Sequence, residues 1–479
     1  MKNKNIWLSA VLACLLLAAG CSQKSASSTT AEDDRETVGT EAAKAPDTEK
    51  ETTGASPMVL YIDKDGLFLA ENGDKLKVAD GQITNPTFSG DGTVAVYLKG
   101  EDLYGYELEE RTEELLLEDV ISFAPDSAAG FYASSKDTGI VKVQPGRETQ
   151  MVWKPEPVEG GYVQCEKLAL SPDGGMLAFT QRRYVDERED PNTTTFDQSL
   201  GIWLLRLRGN ASEPKQIGAG EEPFFERLEK TGGEPYPYAW PAKWSPDSTK
   251  LFIWRDVLSG SLRSDGIPIS IYDVVSQKTE EPFISGENAE WTMEGIVLPY
   301  NENITFAGDG ALVFLAGGGR EMAFGKQLMQ IDSEDGAAAK ELAVTDLTPQ
   351  SPQVSEDGEV VYFAASKASK DSLQVSYPIW RQIYKLEDGQ VTALTEDEAY
   401  SSESPILTAD GGMLIFGRQD REGNMSIWKM NTDGNGLEKL ADLGFNTQAD
   451  AESAEYPVGY QDFYGRGSWH EMMDVCLTD

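Results

Sequence analysis

Histidine is almost absent from this chain. The only one among 479 residues is His470, near the C-terminus. A Ser-His-Asp hydrolase needs a histidine beside its nucleophile, and no Gly-x-Ser-x-Gly nucleophile elbow occurs in the sequence. A metal site built from several imidazole ligands is also excluded. The shortage predicts a protein that is not an enzyme and that has no cofactor and no metal centre.

Basic residues are also scarce. Lysine and arginine number 41 against 81 aspartate and glutamate residues, so the formal net charge is −40. A field of that sign opposes binding to nucleic acid, anionic lipid and anionic wall polymers. It favours cationic partners, divalent ions or simple solubility. We therefore expect no nucleic-acid partner.

Cysteine is limited to four residues. Cys14 lies in an N-terminal apolar run and Cys21 comes two residues after that run, which leaves Cys165 and Cys476. These two could pair in an oxidising compartment or remain free thiols, and their spacing does not decide between the two states.

The N-terminus has the pattern of a secretory signal. Lys2 and Lys4 precede an apolar run, Ile6–Ala19, that is too short to span a membrane comfortably. The sequence Leu-Ala-Ala-Gly-Cys at positions 17–21 looks like a bacterial lipobox, although Ala18 stands where leucine is commonest. The resemblance implies that residues 1–20 are removed and that Cys21 is acylated. The alternative is an ordinary signal peptide followed by a chance cysteine.

Residues 21–57 are predicted to be a disordered tether. From Ser22 to Pro57 the chain is mostly Ser, Thr, Ala, Glu and Asp, with no aromatic residue and almost nothing aliphatic. Such a composition cannot bury enough apolar surface to order itself. The tether would hold a folded body away from a membrane surface, so that lipid is the only contact with the membrane.

A short repeat runs through the rest of the chain. One copy is Leu168–Thr180, in which two apolar runs flank Ser171–Gly174. Pro172 presets φ in this turn, Asp173 can accept bonds from nearby backbone N–H groups, and Gly174 tolerates positive φ. The pattern occurs seven times, and we interpret its aspartates as structural turn residues: Asp91, Asp126, Asp173, Asp247, Asp309, Asp357 and Asp410. Recurrence of this kind is typical of a repeat architecture.

The most complete copy lies between Ser404 and Gly434. It reads Ser-Pro-x-x-x-x-Asp-Gly-Gly-Met-Leu-Ile-Phe, then Gly-Asn-x-Ser-Ile-Trp-Lys-Met, then Thr-Asp-Gly. It resembles the WD-like propeller repeat of the TolB family, which also occurs in the propeller domains of prolyl oligopeptidases. The resemblance covers almost everything from residue 58 to residue 465. It implies a fold but no chemistry, because the motif residues build turns.

Each repeat is predicted to hold four strands, a to d, with the Asp turn between a and b. Four-stranded sheets repeated radially are the blades of a β-propeller, so the fold class is all-β. Seven a strands are evident, and the segment 58–80 adds a b-c-d set without an a strand. Pro457–Phe463 keeps the Pro-to-Asp spacing of the repeat and is expected to supply the missing strand. We therefore favour eight blades over seven, with the propeller at 58–465 and a C-terminal tail at 466–479.

Long insertions are confined to one kind of connection. They occur at residues 181–199, 219–240, 255–267, 285–303 and 366–379, between strands b and c or between d and the next a. Strand parity places these connections on one face of the disc. The insertion at 219–240 carries the candidate partner-binding residues Phe224, Phe225, Tyr236, Tyr238 and Trp240. These aromatic residues could form a binding surface or a plug packed over the blades.

Two other motifs have plain structural interpretations. Asn431–Asp442 has the spacing of a calcium loop but departs from it at the first and last positions, and it falls where the repeat needs a c–d turn. Arg182 and Arg183 precede Asp186, Glu187, Glu189 and Asp190, which favours a solvated, self-paired loop over an anion site.

The sequence thus predicts an exported, lipid-anchored propeller on the extracytoplasmic side of the cell membrane or envelope. TolB-family relatives act through protein partners, so the resemblance implies a non-catalytic binding or scaffolding module for an envelope or extracellular protein. The alternatives are a receptor for a small molecule or carbohydrate and, less favoured, a degenerate propeller enzyme.

Overall fold

The computed structural model describes residues 57–136, 138–159, 161–185, 198–208, 213–218, 238–256, 269–280, 303–316, 326–332, 339–342, 346–368, 379–446 and 469–477. These residues form eight antiparallel sheets of four strands each. The all-β fold and the eight-bladed propeller predicted from the repeat are confirmed. No helix among the described residues is long and apolar enough to cross a membrane.

The blades are numbered 1 to 8 along the chain. Blade 1 contains β1 (Pro57–Asp63), β2 (Gly66–Glu71) and β3 (Asp74–Asp80), and blade 2 contains β4 (Ile83–Phe88), β5 (Val94–Lys99), β6 (Asp102–Glu107) and β7 (Thr112–Leu117). Blade 3 contains β8 (Val120–Pro125), β9 (Phe131–Ser135), β10 (Gly139–Val143) and β11 (Gln150–Trp153), and blade 4 contains β12 (Gly161–Leu170), β13 (Met176–Val185), β14 (Gln198–Arg206) and β15 (Lys215–Gly218). The remaining strands follow in groups of four, one group to each blade. Blades 5 to 8 contain β16 (Tyr238–Trp244), β17 (Lys250–Asp256), β18 (Ile269–Asp273), β19 (Lys278–Glu280), β20 (Ile304–Phe306), β21 (Leu312–Ala316), β22 (Gln327–Ile331), β23 (Ala339–Glu341), β24 (Leu347–Val354), β25 (Val360–Lys367), β26 (Gln382–Glu387), β27 (Gln390–Ala393), β28 (Tyr400–Leu407), β29 (Met413–Asp420), β30 (Asn424–Asn431) and β31 (Glu438–Asn446).

The ring is closed by the C-terminus, but not by the predicted segment. The a strand of blade 1 is β32 (Met473–Leu477), which pairs antiparallel with β1 from Tyr61↔Met473 to Pro57↔Leu477. The closing strand therefore lies inside the stretch 466–479 that was predicted to be a tail, and the propeller extends to Leu477. Pro457–Phe463, predicted to be this strand, lies outside the described residues.

Apolar side chains fill every junction of the ring. Alternate residues of the inner strands point to the two neighbouring blades, as the two-residue period of a strand requires. One cluster of buried residues joins blades 8, 1 and 2, and six others join each remaining pair of neighbours from blades 2 and 3 to blades 7 and 8. The core is thus a continuous belt between blades.

Most a strands carry a β-bulge near the middle. The pairing register shifts there, for example between Glu166 and Ala169 and between Glu403 and Ile406. In four blades the residue six positions before the turn aspartate is left-handed, at Asn85, Lys167, Ser351 and Ser404. A bulge changes the direction of the side chains beside it, and Glu403 lies directly before one.

The two faces of the disc differ in the length of their connections. We call the side with the b–c and d–a connections the loop face, and the side with the a–b and c–d turns the turn face. On the turn face all seven a–b turns have five residues, as in 89–93 and 408–412. On the loop face the b–c connections of blades 4 to 7 are long: 186–197, 257–268, 317–326 and 368–381. Those of blades 1 to 3 are short, so one half of the loop face is elaborated.

Candidate functional site: the loop face at blades 7 and 8

Of the five predicted partner-binding residues, the structure describes two, Tyr238 and Trp240. Cys21, Phe224, Phe225 and Tyr236 lie outside the described residues. Tyr238 is the first residue of β16, and only its backbone is described. Trp240 lies on the same strand and is 8% exposed within the cluster between blades 5 and 6. Trp240 therefore stabilises that junction.

The repeat aspartates lie on the turn face and organise the a–b turns. In five of the seven turns, Oδ1 accepts one hydrogen bond from the hydroxyl two residues before it and one from the backbone N–H two residues after it. In blade 8 these donors are Thr408 Oγ1 at 2.6 Å and Gly412 N at 3.0 Å from Asp410. The hydroxyl oxygen then accepts the N–H of Met413 at 3.0 Å.

The same hydrogen bonds control ionisation. Bonds from Ser171 Oγ and Gly175 N–H lower the pKa of Asp173, and equivalent bonds lower the pKa of Asp357 and Asp410. Burial opposes the shift at Asp91 and Asp247, but the bonds outweigh it and their pKa is lowered as well. A carboxylate that accepts hydrogen bonds is stabilised in its charged form. Asp126 has no hydroxyl two residues before it and pairs instead with Lys142.

The arginine pair of blade 4 lies on strand β13 and contacts the neighbouring strand and the segment before it. Arg182 lies on β13, and its Nη1 is 2.9 Å from Oε2 of Glu166 on the neighbouring strand β12. Arg183 Nη2 donates to the carbonyl of Glu159 at 3.2 Å. The pairing is thus made along the sheet. The acidic residues 186–190 lie outside the described residues.

No disulfide joins Cys165 and Cys476, the two cysteines of the folded body. Cys165 is buried in the junction between blades 3 and 4, and Cys476 lies on the closing strand. Burial raises the pKa of Cys165 to about 12. A thiol that stays protonated is a poor nucleophile, so Cys165 has a packing role.

The calcium-like spacing of Asn431–Asp442 forms the c–d turn of blade 8, as predicted. Gly434 N donates to the carbonyl of Asn431 at 2.9 Å, and Asp433 Oδ1 accepts from Asn435 N at 2.9 Å. Asp442 lies on β31 and pairs with Lys439 at 3.0 Å. Within the part of the chain that the structure describes, no group of three or more His, Cys, Asp or Glu side chains is placed to hold a metal ion.

Buried charge is concentrated where blades 7 and 8 meet the loop face. Arg381 directly precedes β26, Asp397 lies in the d–a connection of blade 7, and Arg418 lies near the loop-face end of β29. Arg381 and Arg418 are each 1% exposed. Sequence periodicity did not reveal this cluster, because Arg418 occupies an alternating strand position that an apolar residue could equally fill.

Arg418 is held by two aromatic rings. Its guanidinium lies 4.7 Å from the ring centroid of Tyr400 and 4.7 Å from that of Trp428. Nε donates to Ser402 Oγ at 3.0 Å, and Asp397 Oδ2 is 3.9 Å from Nη1. Burial lowers the pKa of Arg418, an effect that Asp397 and Tyr400 partly offset. Cation–π contacts of this kind fix the plane of a guanidinium.

A second buried charge, Glu403, connects blade 8 to the C-terminal segment. Oε1 accepts from Ser401 Oγ at 2.6 Å and lies 3.9 Å from Arg381 Nη1. Burial raises the pKa of Glu403, while Arg381 and hydrogen bonds from Ser401 and Trp469 oppose the rise. Trp469 is 3% exposed, and a Cβ on Gly417 would overlap its indole ring. Gly417 thus leaves room for the indole of the closing segment.

A cavity of about 340 Å³ opens on the loop face of blade 8. Its lining combines aromatic and apolar surface from Tyr400, Met425 and Phe445 with polar groups from Asp420, Ser426 and Lys439. Asp442, Asn424 and Gly444 complete the lining. The volume suits a small ligand or one side chain of a partner.

Comparison with known proteins supports the fold. No protein-family model matches the chain, and no curated protein matches it. Among solved structures it is similar to a putative TolB from Agrobacterium tumefaciens, at 15% identity over 89% of this chain and 99% of that chain, with a TM-score of 0.32. It is also similar to dipeptidyl peptidase 4 from Porphyromonas gingivalis, at 10% identity over 81% of this chain and 58% of that chain, with a TM-score of 0.50.

A third similar structure is TolB from Acinetobacter baumannii, at 14% identity over 75% of this chain and 80% of that chain, with a TM-score of 0.33. Two of these three proteins are named TolB, and the third is named as a peptidase. At such identities the similarities concern the fold alone, and this fold serves catalytic and non-catalytic proteins alike.

Proposed function

We propose that this chain is an exported, lipid-anchored TolB-like propeller that acts as a non-catalytic binding or scaffolding module for a protein partner at the bacterial cell envelope. The observation that carries the proposal is the difference between the two faces. Seven a–b turns have one length, whereas the b–c connections of blades 4 to 7 and the d–a connections 219–237 and 281–303 are long.

Uniform turns and variable loops have different physical meanings. A turn that only has to join two strands can have the same length in every blade, as the a–b turns have here. Recognition residues concentrate in loops that a rigid scaffold displays. The long connections begin and end on one face, and the buried charges of blades 7 and 8 lie near the same face, so we assign the partner site to the loop face.

The aromatic residues of the connection 219–237 are the proposed partner-binding residues on this face. Phe224, Phe225, Tyr236 and Tyr238 belong to the connection 219–237 or to the residue that follows it. Aromatic side chains in a loop are good anchors because they bury a large area at a small cost in side-chain entropy. The packed position of Trp240 on β16 leaves the first four as the residues to test.

Anchoring is tested by replacing Cys21 with serine. Because Cys21 is the proposed acylation site and the tether has no hydrophobic stretch, Cys21→Ser should move the protein from the membrane fraction to the soluble fraction. The measurement is cell fractionation with immunoblotting. Recovery of the variant in the membrane pellet would rule out the lipid anchor.

The partner face is tested by crosslinking in cells from two positions in one blade. Glu398 lies in the d–a connection of blade 7 and Asp388 in its c–d turn, and both are exposed. A photo-crosslinking residue at position 398 should capture a distinct protein, whereas the same residue at position 388 should capture none. Capture from position 388 alone would place the partner on the turn face.

The cavity on blade 8 favours a second candidate function, a receptor for a small molecule or carbohydrate. It combines an aromatic ring with several fixed polar groups, as small-ligand sites do. A thermal-shift screen against glycans and small metabolites distinguishes this function, since a ligand that binds only the folded state raises the melting temperature.

A further inference from the structure

Arg418 is a buried cation with incomplete hydrogen bonding. It is 1% exposed, and its Nη2 atom is buried without a hydrogen-bond partner. Nε has one acceptor, Ser402 Oγ, while the nearest carboxylate oxygen lies 3.9 Å from Nη1, beyond hydrogen-bonding distance. Asp397, which supplies that oxygen, is 46% exposed on the d–a connection. The N–H groups on Nη2 of Arg418 therefore lack an acceptor.

Retaining such a group is costly for a fold. A buried charge that lacks a full set of partners destabilises the native state, and a well-packed apolar residue of similar volume is often neutral or stabilising in its place. The rings of Tyr400 and Trp428 offset part of this cost, but they do not replace the oxygen acceptor that Nη2 lacks. An unpaired buried donor in a native structure calls for a cause, and an absent ligand is one such cause.

The cavity on blade 8 lies beside this group. Tyr400, whose ring packs on the guanidinium, lines the cavity. Ser426, which pairs with Arg418 across the sheet and bonds its carbonyl at 3.5 Å, lines it as well. Two residues that line the cavity therefore also contact Arg418.

We propose that the cavity on blade 8 binds a carboxylate group and that Arg418 is its anchor, through the bidentate geometry that guanidinium and carboxylate share. Tyr400 would turn aside to admit the carboxylate to Nη2. The ligand class is a small carboxylic acid, or the acidic side chain or C-terminus of a peptide.

The acidic residues of the cavity are compatible with this ligand. Asp442 pairs with Lys439 at 3.0 Å and 3.1 Å. Asp420 Oδ1 accepts from Glu422 N and Asn424 N, both at 2.9 Å, and Oδ2 accepts from Asn424 Nδ2 at 2.9 Å. Both carboxylates are therefore engaged with protein donors, and the remaining repulsion from the acidic surface is screened at physiological salt.

The test uses matched probes that differ only in charge. N-acetyl-leucine carries a carboxylate and N-acetyl-leucinamide replaces it with an amide, and a pentapeptide with a free or an amidated C-terminus extends the comparison. The mature protein is titrated by calorimetry and thermal shift. We expect the carboxylate form of at least one pair to bind and its amide to bind at least ten times more weakly. Binding of the acetylated amino acid marks a small-molecule site, and binding of the peptide alone marks a protein terminus.

Two variants separate recognition from structure. Arg418→Met should abolish carboxylate binding while leaving the melting temperature unchanged or higher. Arg421→Met, which removes an exposed cation of the same blade that stacks on Trp380, should keep binding. The proposal is overturned if neither carboxylate binds to the unmodified protein, if the carboxylates bind equally well to Arg418→Met, or if the amides bind as tightly as the acids.

Discussion

The smallest unit of this fold is a hydroxyl paired with a carboxylate. In blade 4, Ser171 Oγ donates to Asp173 at 2.6 Å and accepts the N–H of Met176 at 2.9 Å, while Asp173 also accepts the N–H of Gly175. The i to i+3 backbone bond from Gly174 N to Ser171 O closes the same turn at 2.8 Å. Two side chains thus satisfy three backbone or hydroxyl donors that would otherwise depend on water.

Removal of one turn carboxylate should therefore remove only the hydrogen bonds of its own turn. Asp410→Ala should lower the free energy of unfolding by about 1 kcal/mol, the typical worth of such bonds at an exposed turn. Chemical denaturation of the purified protein measures the change. Asp433→Ala in the c–d turn of the same blade, where the bonds join only Asp433 and Asn435, serves as a comparison and should cost less.

The turn carboxylates should also make stability depend on pH. Their pKa is lower in the folded state, so the stabilisation is present above the pKa of the unfolded chain and is lost as pH falls through the folded pKa. Asp410→Asn keeps the shape but not the charge. The difference in unfolding free energy between it and the unmodified protein should shrink as pH falls from 6 to about 3. A difference that stays constant over this range would show that the charge contributes nothing.

The hydroxyl two positions before five of the seven turn aspartates illustrates what the sequence predicted and what it did not. The aspartate and its glycine were recognisable because a tight turn demands them. Ser89, Ser171, Ser245, Ser355 and Thr408 complete the same turn, but serine and threonine are common at strand ends for many reasons. Arg418 and Glu403 were not predictable at all, because their role depends on neighbours that are distant in sequence.

Among the structural elements, the closing strand differs most from its prediction. β32 reads Met-Asp-Val-Cys-Leu, and its partner strand β1 lies more than 400 residues away in sequence, so no Asp turn joins these two strands. Without that turn it lacks the repeat signature. Its position is set instead by pairing with β1 and by Asp474, whose Oδ2 accepts the N–H of Phe88 in blade 2 at 2.8 Å. The position of β32 therefore depends on tertiary contacts and could not be predicted from its local sequence.

The closing segment also fastens the last blade to the first. Trp469 fits against Gly417 and bonds Glu403 in blade 8, and the carbonyl of Met472 accepts the N–H of Ile62 in blade 1 at 2.8 Å. Met472 and Met473 are both buried in the cluster that joins blades 8, 1 and 2. The ends of the ring are thus held by noncovalent contacts from one short segment.

Deletion of this segment should open the ring. Removal of residues 473–479 takes away all five β1 pairings and the burial of Met473, which alone is worth about 2 kcal/mol. We expect a large fall in melting temperature and faster hydrogen exchange in β1. Removal of residues 478–479 only should leave both unchanged. Equal stability of the two truncated chains would show that β32 does not close the propeller.

At the scale of the whole molecule, the long b–c connections are confined to four consecutive blades. Blades 1 to 3 have short b–c connections, 64–65, 100–101 and 136–138, and blades 4 to 7 have long ones. The blade number and the face that carries the insertions followed from the sequence, because strand parity fixes the side on which each connection lies. The chemistry of the partner did not follow, because the side chains that would select it stand in connections free of the repeat pattern.

The acidic character of the molecule also belongs to this scale. A net charge of −40 raises the association rate of a basic partner and lowers that of an acidic one, and both effects weaken with added salt. The charge alone does not distinguish the faces, since aspartate and glutamate occur on both. Contact between loops and partner must therefore be tested by changing the loops.

The most direct test of a loop-face binding module is the affinity of the captured partner for a protein with one connection replaced. Substituting a short Gly-Ser link for residues 221–237 removes Phe224, Phe225 and Tyr236 but spares β16, and Asp388→Lys changes the turn face of blade 7. With both variants folded, as shown by an unchanged melting temperature, the account predicts loss of binding in the first and full affinity in the second. Full affinity after the loop replacement together with lost affinity in Asp388→Lys would contradict it.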